Sequence, residues 1–161
     1  MKLCNDTITV FNARVDPGTG ERVWNGTVIT GASWYMTDVS TVDTGKGGLV
    51  AANKATIRIP APAGTTKAYA DPIAYRAAQS VANLWTLQQG DIIVHADVPL
   101  AIYTEQWGFI ITTPIVWTPA QLQKEYAGCV TVLGVTDNTR NRARTAHEMA
   151  PNAPHWRVTG T

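Results

Sequence analysis

The chain has 161 residues, enough for one domain and short of what two independent cores usually need. Hydrophobic residues make up 45% and charged residues only 16%, against about 25% in an average soluble protein. Thirteen basic and 12 acidic side chains leave a net charge of +1, which argues against a nucleic-acid binder that neutralises phosphates with a basic surplus and favours self-association.

No apolar run approaches the roughly 18 residues of a membrane span. Met1 to Asp6 has no apolar core, so secretion through a signal peptide is not expected. Cys4 and Cys129 are too few and too far apart for a disulfide scaffold or a zinc site, and both are expected to be reduced and packed.

In chain order, Thr7–Phe11 alternates as a strand with Ile8 and Val10 on one face. Asp16-Pro17-Gly18-Thr19-Gly20 is a turn cluster. Arg22–Gly31 predicts a second strand, and Ser33–Thr37 either a third or its continuation past Gly31. Ser40–Gly48 is small and polar and ends in Gly45-Lys46-Gly47-Gly48, so a mobile inter-strand loop is expected there. Leu49–Pro60 returns to strand character. Asp71 and Pro72 can cap and open a short helix within 71–84, and Ile92–Val98 is the clearest strand. Pro99–Trp117 is aromatic and β-branched but irregular, a hairpin or an extended excursion.

One C-terminal helix is expected over about 118–134. Thr118 caps it, Pro119 opens it and Gln121 completes a capping box. Leu122, Tyr126, Cys129, Val130 and Leu133 recur at helical spacing, with Gly134 as the stop. Beyond Asp137 periodicity ends. The segment 137–161 holds four basic and two acidic residues and predicts an extended C-terminal arm. Trp156, on that arm, either folds back or anchors in a neighbouring subunit. The fold expected is mainly β: a small β-barrel or sandwich over 1–136 with the late helix, and an arm over 137–161.

No catalytic constellation stands out, and neither an enzyme nor a cofactor or metal is expected. His147-Glu148 starts like a zinc-protease helix, but Pro151 stands where its second histidine belongs. Gly45–Gly48 lacks the spacing of a phosphate loop, and Tyr35 breaks a nucleophile elbow at Ser33. His95 and Asp97 would share a strand face and could hydrogen-bond, for which a polar strand face is the plainer reading.

Four segments taken together resemble a family of uncharacterised prophage structural proteins of Gram-positive bacteria. They are Cys4–Asn12, Lys46–Lys54 with Ile57–Pro60, Gln89–Val94, and Pro151–Val158. The resemblance covers most of the chain apart from Pro99–Trp117 and implies a head–tail connector component, above all the head-completion or stopper protein. It further implies a homo-oligomeric ring of about twelve subunits, with the portal or adaptor ring above and the tail terminator or tail tube below. Packaged DNA would pass through the channel and be contacted non-specifically. Thr41, Asp43, Thr44, Gly45, Lys46, Gly47 and Gly48 would form the channel loop. Arg140, Arg142, Arg144, His155, Trp156 and Arg157 would belong to an inter-subunit arm. The location implied is the virion head–tail junction, assembled in the host cytoplasm, with no membrane. A tail terminator or other neck or tail ring protein is the main rival, and a carbohydrate-binding β-sandwich is a rival of another class.

Overall fold

A computed structural model describes residues 5–43, 48–139 and 154–161, with backbone alone over 38–43 and 48–53. Six antiparallel strands close into a barrel: β1 (Asp6–Val15), β2 (Arg22–Asp43), β3 (Gly48–Pro60), β6 (Ile92–Val94), β9 (Cys129–Asp137) and β10 (His155–Gly160). Their order around the barrel is β1-β2-β3-β10-β9-β6, and β6 closes it by pairing back onto β1. A barrel is thus realised where the sequence left barrel or sandwich open.

The strands form because small and β-branched residues alternate with polar ones. Ala55, Ile57 and Ile59 of β3 point inward, as do Trp156 and Val158 of β10 and Val130 and Val132 of β9. β1 and β6 are buried on both faces. Ile8, Val10 and Ile93 fill the barrel, while Phe11, Ile92 and Val94 face a second core with Val98 and Leu122. That outer core is covered by a short helix, α2 (Pro119–Glu125).

β2 is a single strand of 22 residues that serves two partners. It pairs with β1 up to Ala32 and with β3 from Ser33 onward. Gly31 sits at this corner with φ 76°, where the β1–β2 register shifts. A side chain is disfavoured in that conformation, and the kink lets one strand turn from one side of the barrel to the next.

The capping box at Thr118 and Gln121 forms as expected, but the helix ends at Glu125. Residues 129–137 are strand β9, so the helix expected to run to 134 is corrected. Val130 and Val132 carry a period-two pattern that pairing with β6 and β10 selects over the helical one. The helix at Asp71 is likewise short, α1 (Pro72–Ala77), with the Asp71 carboxylate accepting the Ile73 and Ala74 amides. It lies between β4 (Ala68–Tyr69) and β5 (Leu84–Trp85), a small parallel pair.

The arm expected over 137–161 is also corrected where it is described. His155–Gly160 is a barrel strand between β3 and β9. Trp156 is 6% exposed and meets Tyr69 and Trp85 with ring centroids 4.5 and 5.4 Å away. It has a core in its own chain because β10 pairs with β3 and β9. Trp156→Ala is expected to cost about 3–5 kcal/mol of unfolding free energy in urea, the usual range for emptying a buried Trp site. A loss below about 1 kcal/mol would show that Trp156 is not a core residue.

Candidate assembly surface

Two hairpins leave the barrel. The first continues β2 and β3 outward. β1 pairs with β2 only to Ala32, and β10 pairs with β3 only from Ala55. From Thr37↔Lys54 to Asp43↔Gly48 the two strands therefore hold only each other, over seven residue pairs. At about 3.3 Å per residue this ribbon reaches roughly 20 Å. Thr41, Asp43 and Gly48, expected in a mobile loop, are part of that ladder. Its β-branched residues suit a strand, and a partner strand supplies what local composition did not reveal. Thr44, Gly45, Lys46 and Gly47 lie outside the described residues.

The second hairpin joins β7 (Ala101–Gln106) to β8 (Phe109–Pro114), so Pro99–Trp117 takes the hairpin alternative. Its base is anchored: the Ile115 amide donates to Leu100 O at 2.9 Å and the Trp117 indole to Pro99 O at 2.8 Å. Trp117 also meets the Tyr126 ring edge-on. Beyond that base the ribbon is exposed among the described residues. Phe109, Ile110 and Tyr103 are each more than 70% exposed, and Ile102 and Ile111 about half. Cross-strand register puts Ile102, Ile111 and Phe109 on one face and Tyr103 and Ile110 on the other, so both faces are apolar.

The tip of this hairpin is the two-residue turn Trp107-Gly108, with φ 57° and 77°. Both positive values fit the turn type whose twist suits a hairpin, where Asn-Gly is favoured. A bulky residue at the first position is strained. Trp107 is nevertheless there, and 90% exposed. Among the described residues no contact explains that choice.

The arm residues are dispersed. His155 Nε2 lies 3.2 Å from Asn138 Nδ2, Trp156 is in the core, and Arg157 is exposed opposite Arg58. Arg140, Arg142 and Arg144 lie outside the described residues. His95 does not use Asp97. Its Nε2 lies 3.2 Å from Asp6 Oδ1, and its ring stacks on Trp34 at 4.8 Å. Asp6 Oδ2 accepts the Trp34 amide, so the group ties β1, β2 and the residue after β6 together.

The buried carboxylate is Asp91, which the sequence did not mark because its partners lie far along the chain. Its Oδ2 accepts Asn12 Nδ2 at 2.7 Å and the Gln88 amide at 3.0 Å, and Oδ1 accepts the Ala13 amide at 3.1 Å. Asn12 also bonds Thr86 through both its amide ends. Burial pushes the Asp91 carboxyl up to about 6, against the pull of these donors. Enclosed by its own chain, it staples β1 to the loop before β6. Among the described residues no cluster of metal-ligating side chains occurs, and no helix is long and apolar enough to cross a membrane.

The fold and these surfaces define a small closed antiparallel β-barrel with two protruding hairpins. The chain belongs to the family of unknown function DUF6751, whose model matches residues 3–161. No curated protein and no solved structure matches it.

Two outcomes follow from this geometry. Trp107→Asn installs Asn-Gly at the turn and is expected to raise unfolding free energy by up to about 1 kcal/mol in urea. A loss of stability would mean that the exposed indole serves the fold. For Asp91, a carboxyl raised on folding stabilises the barrel most below its unfolded value, and that contribution is lost as pH rises through the folded one. The stability of the wild type relative to Asp91→Asn should therefore fall between pH 3.8 and about 6. Urea unfolding across that window checks the sign, and a gap that widens with pH would mean that the hydrogen bonds outweigh burial.

Proposed function

We propose that this chain is a non-enzymatic virion protein of the phage head–tail interface, the stopper ring that seals the DNA channel and docks the tail. The observation that carries this reading is a closed barrel joined to two hairpins that reach beyond it, one of them rich in exposed apolar side chains. A closed barrel joins its two end strands, whereas each hairpin is a two-stranded ribbon whose strands keep an outer edge, so association falls chiefly to the hairpins. Isolated two-stranded ribbons are marginal in water, and a neighbour would supply the missing packing. The ordered segments that resemble prophage connector proteins add the biological setting.

In this mechanism the β7–β8 hairpin packs against the adjacent subunit, a head-to-tail contact that closes into a ring. The β2–β3 ribbon is the element long enough to reach inward and obstruct the channel. The arm exchange expected around Trp156 has no part in it, since that residue belongs to its own barrel.

Electron microscopy and native mass spectrometry of the purified chain test the ring. Rings of about twelve subunits are expected, while sixfold rings would favour a tail terminator. A chain that stays monomeric at micromolar concentration would sink both. Trp107→Asn and Ile110→Asp should each weaken assembly on the order of thirtyfold, as loss of a hot-spot residue does, with the barrel still folded by circular dichroism. Removing residues 38–53 should leave heads that leak DNA; heads that stay sealed would refute the gate.

A further inference from the structure

At the end of β2 remote from the ribbon, a cavity of about 310 Å3 opens between the β1–β2 pair, α1 and the loop before β6. Arg14, Arg22 and Arg76 line it, together with Val15, Gln88 and Gln89. No acidic side chain is among its described lining residues. The three arginines come from positions spread over 62 residues and from three different elements, so the fold assembles the charge.

None of the three is in an ion pair among the described residues; the ion pair found there joins His95 to Asp6. Arg14 donates one guanidinium nitrogen to the carbonyl of Ala78, which fixes its fork at the end of α1. Its Nε is buried and has no acceptor among the described residues. Arg22 rests over the Trp24 ring at 5.7 Å, which orients it without neutralising it. Two carboxylates nearby are engaged elsewhere. Asp91, behind the wall, gives its oxygens to Asn12, Ala13 and Gln88. Asp16, in the adjoining turn, accepts the Gly18 and Thr19 amides.

Planar guanidinium forks match the oxygens of phosphate, and an unpaired buried N–H is costly until an acceptor reaches it. The cavity has the volume of a small-molecule site rather than the reach of a polyanion groove. Removing these three from the 13 basic residues leaves ten against 12 acidic, so the rest of the chain repels a polyanion. We infer that this cavity binds a compact phosphate dianion, as inorganic phosphate or as the terminal group of a small phosphate monoester. The site is independent of the ring reading and would serve a monomer equally well.

Isothermal titration of the full chain with inorganic phosphate, and separately with phenyl phosphate, tests it at constant ionic strength. Saturable binding with one site per chain is expected, together with a rise in melting temperature that sodium chloride does not reproduce. Arg22→Gln and Arg76→Gln, both at exposed positions that leave the barrel core intact, should each weaken binding roughly tenfold, the worth of one charge-assisted hydrogen bond. Lys124→Gln, on α2, should leave it unchanged. Phenyl phosphate binding more tightly than inorganic phosphate would identify a monoester site, and the reverse order would identify a free-anion site. The inference is overturned if phosphate acts no differently from chloride, or if both arginine variants bind as wild type does. It is overturned equally if a short DNA duplex competes and binds more tightly than either small phosphate, which would make the cavity part of a nucleic-acid surface.

Discussion

The pairing of β10 between β3 and β9 is the contact on which the rest of the molecule depends. Without it β3 and β9 would each present an open ladder, and the sheet would be a curved strip with two exposed edges. With it, Trp156 and Val158 enter the interior beside Ile57, Ile59 and Val132, and the strip becomes a barrel. Closure also fixes the second core. β1 and β6 can bury both faces only because the barrel holds their inner side while α2 and the Val98 segment cover the outer one. The Asp91 staple and the Gly31 corner then act on a frame whose register is already set.

Closure decides where the chain can meet other molecules. Every strand of the barrel has two neighbours, whereas the outer reach of β2–β3, β7–β8 and the small β4–β5 pair have, among the described residues, a strand partner on one side alone. The largest group of exposed apolar side chains lies on β7–β8, while Val15, Ile73 and Leu133 are scattered over β1, α1 and β9. Scattered apolar residues on a surface need no explanation, but a contiguous group on an unsupported ribbon does. The strained Trp107 belongs to that group. Its placement at a turn that would prefer Asn is a cost to the isolated fold, and costs of that kind concentrate at functional surfaces.

Local signals in the sequence were reliable and long-range ones were not. The Thr118–Gln121 capping box and the Asp71 cap are written in adjacent residues, and both formed. The stretch after Glu125 carries two periods at once. Leu122, Tyr126, Cys129 and Leu133 suit a helix, while Val130 and Val132 suit a strand, and only the positions of β6 and β10 choose between them. His155–Gly160 reads as a tail because one of its two partners, β3, lies about a hundred residues earlier and the other, β9, carries a competing helical period. The β7–β8 hairpin was left open because its turn is Trp-Gly instead of a favoured dipeptide. The arginine cavity was invisible for the same reason as β10: spacing along the chain says nothing about residues that only the closed barrel brings together.

The 16% charge fraction takes on a location in this frame. A monomer of this size ordinarily spreads charge over its whole surface to stay apart from its copies. Here the apolar hairpin lacks that coat, and three of the few arginines are gathered in one cavity at the far end of β2 from the ribbon. A head-to-tail assembly needs two unlike surfaces on each subunit, whereas a twofold dimer needs only one that fits itself. The chain's surfaces are unlike in shape and chemistry: slender apolar or backbone-rich ribbons, and a rigid barrel with a cationic recess. Because the barrel is closed and its interior close-packed, it resists bending and holds those surfaces at a fixed separation. A fixed separation is what a closing ring demands of its subunit, since a small angular error repeated around the ring leaves it open.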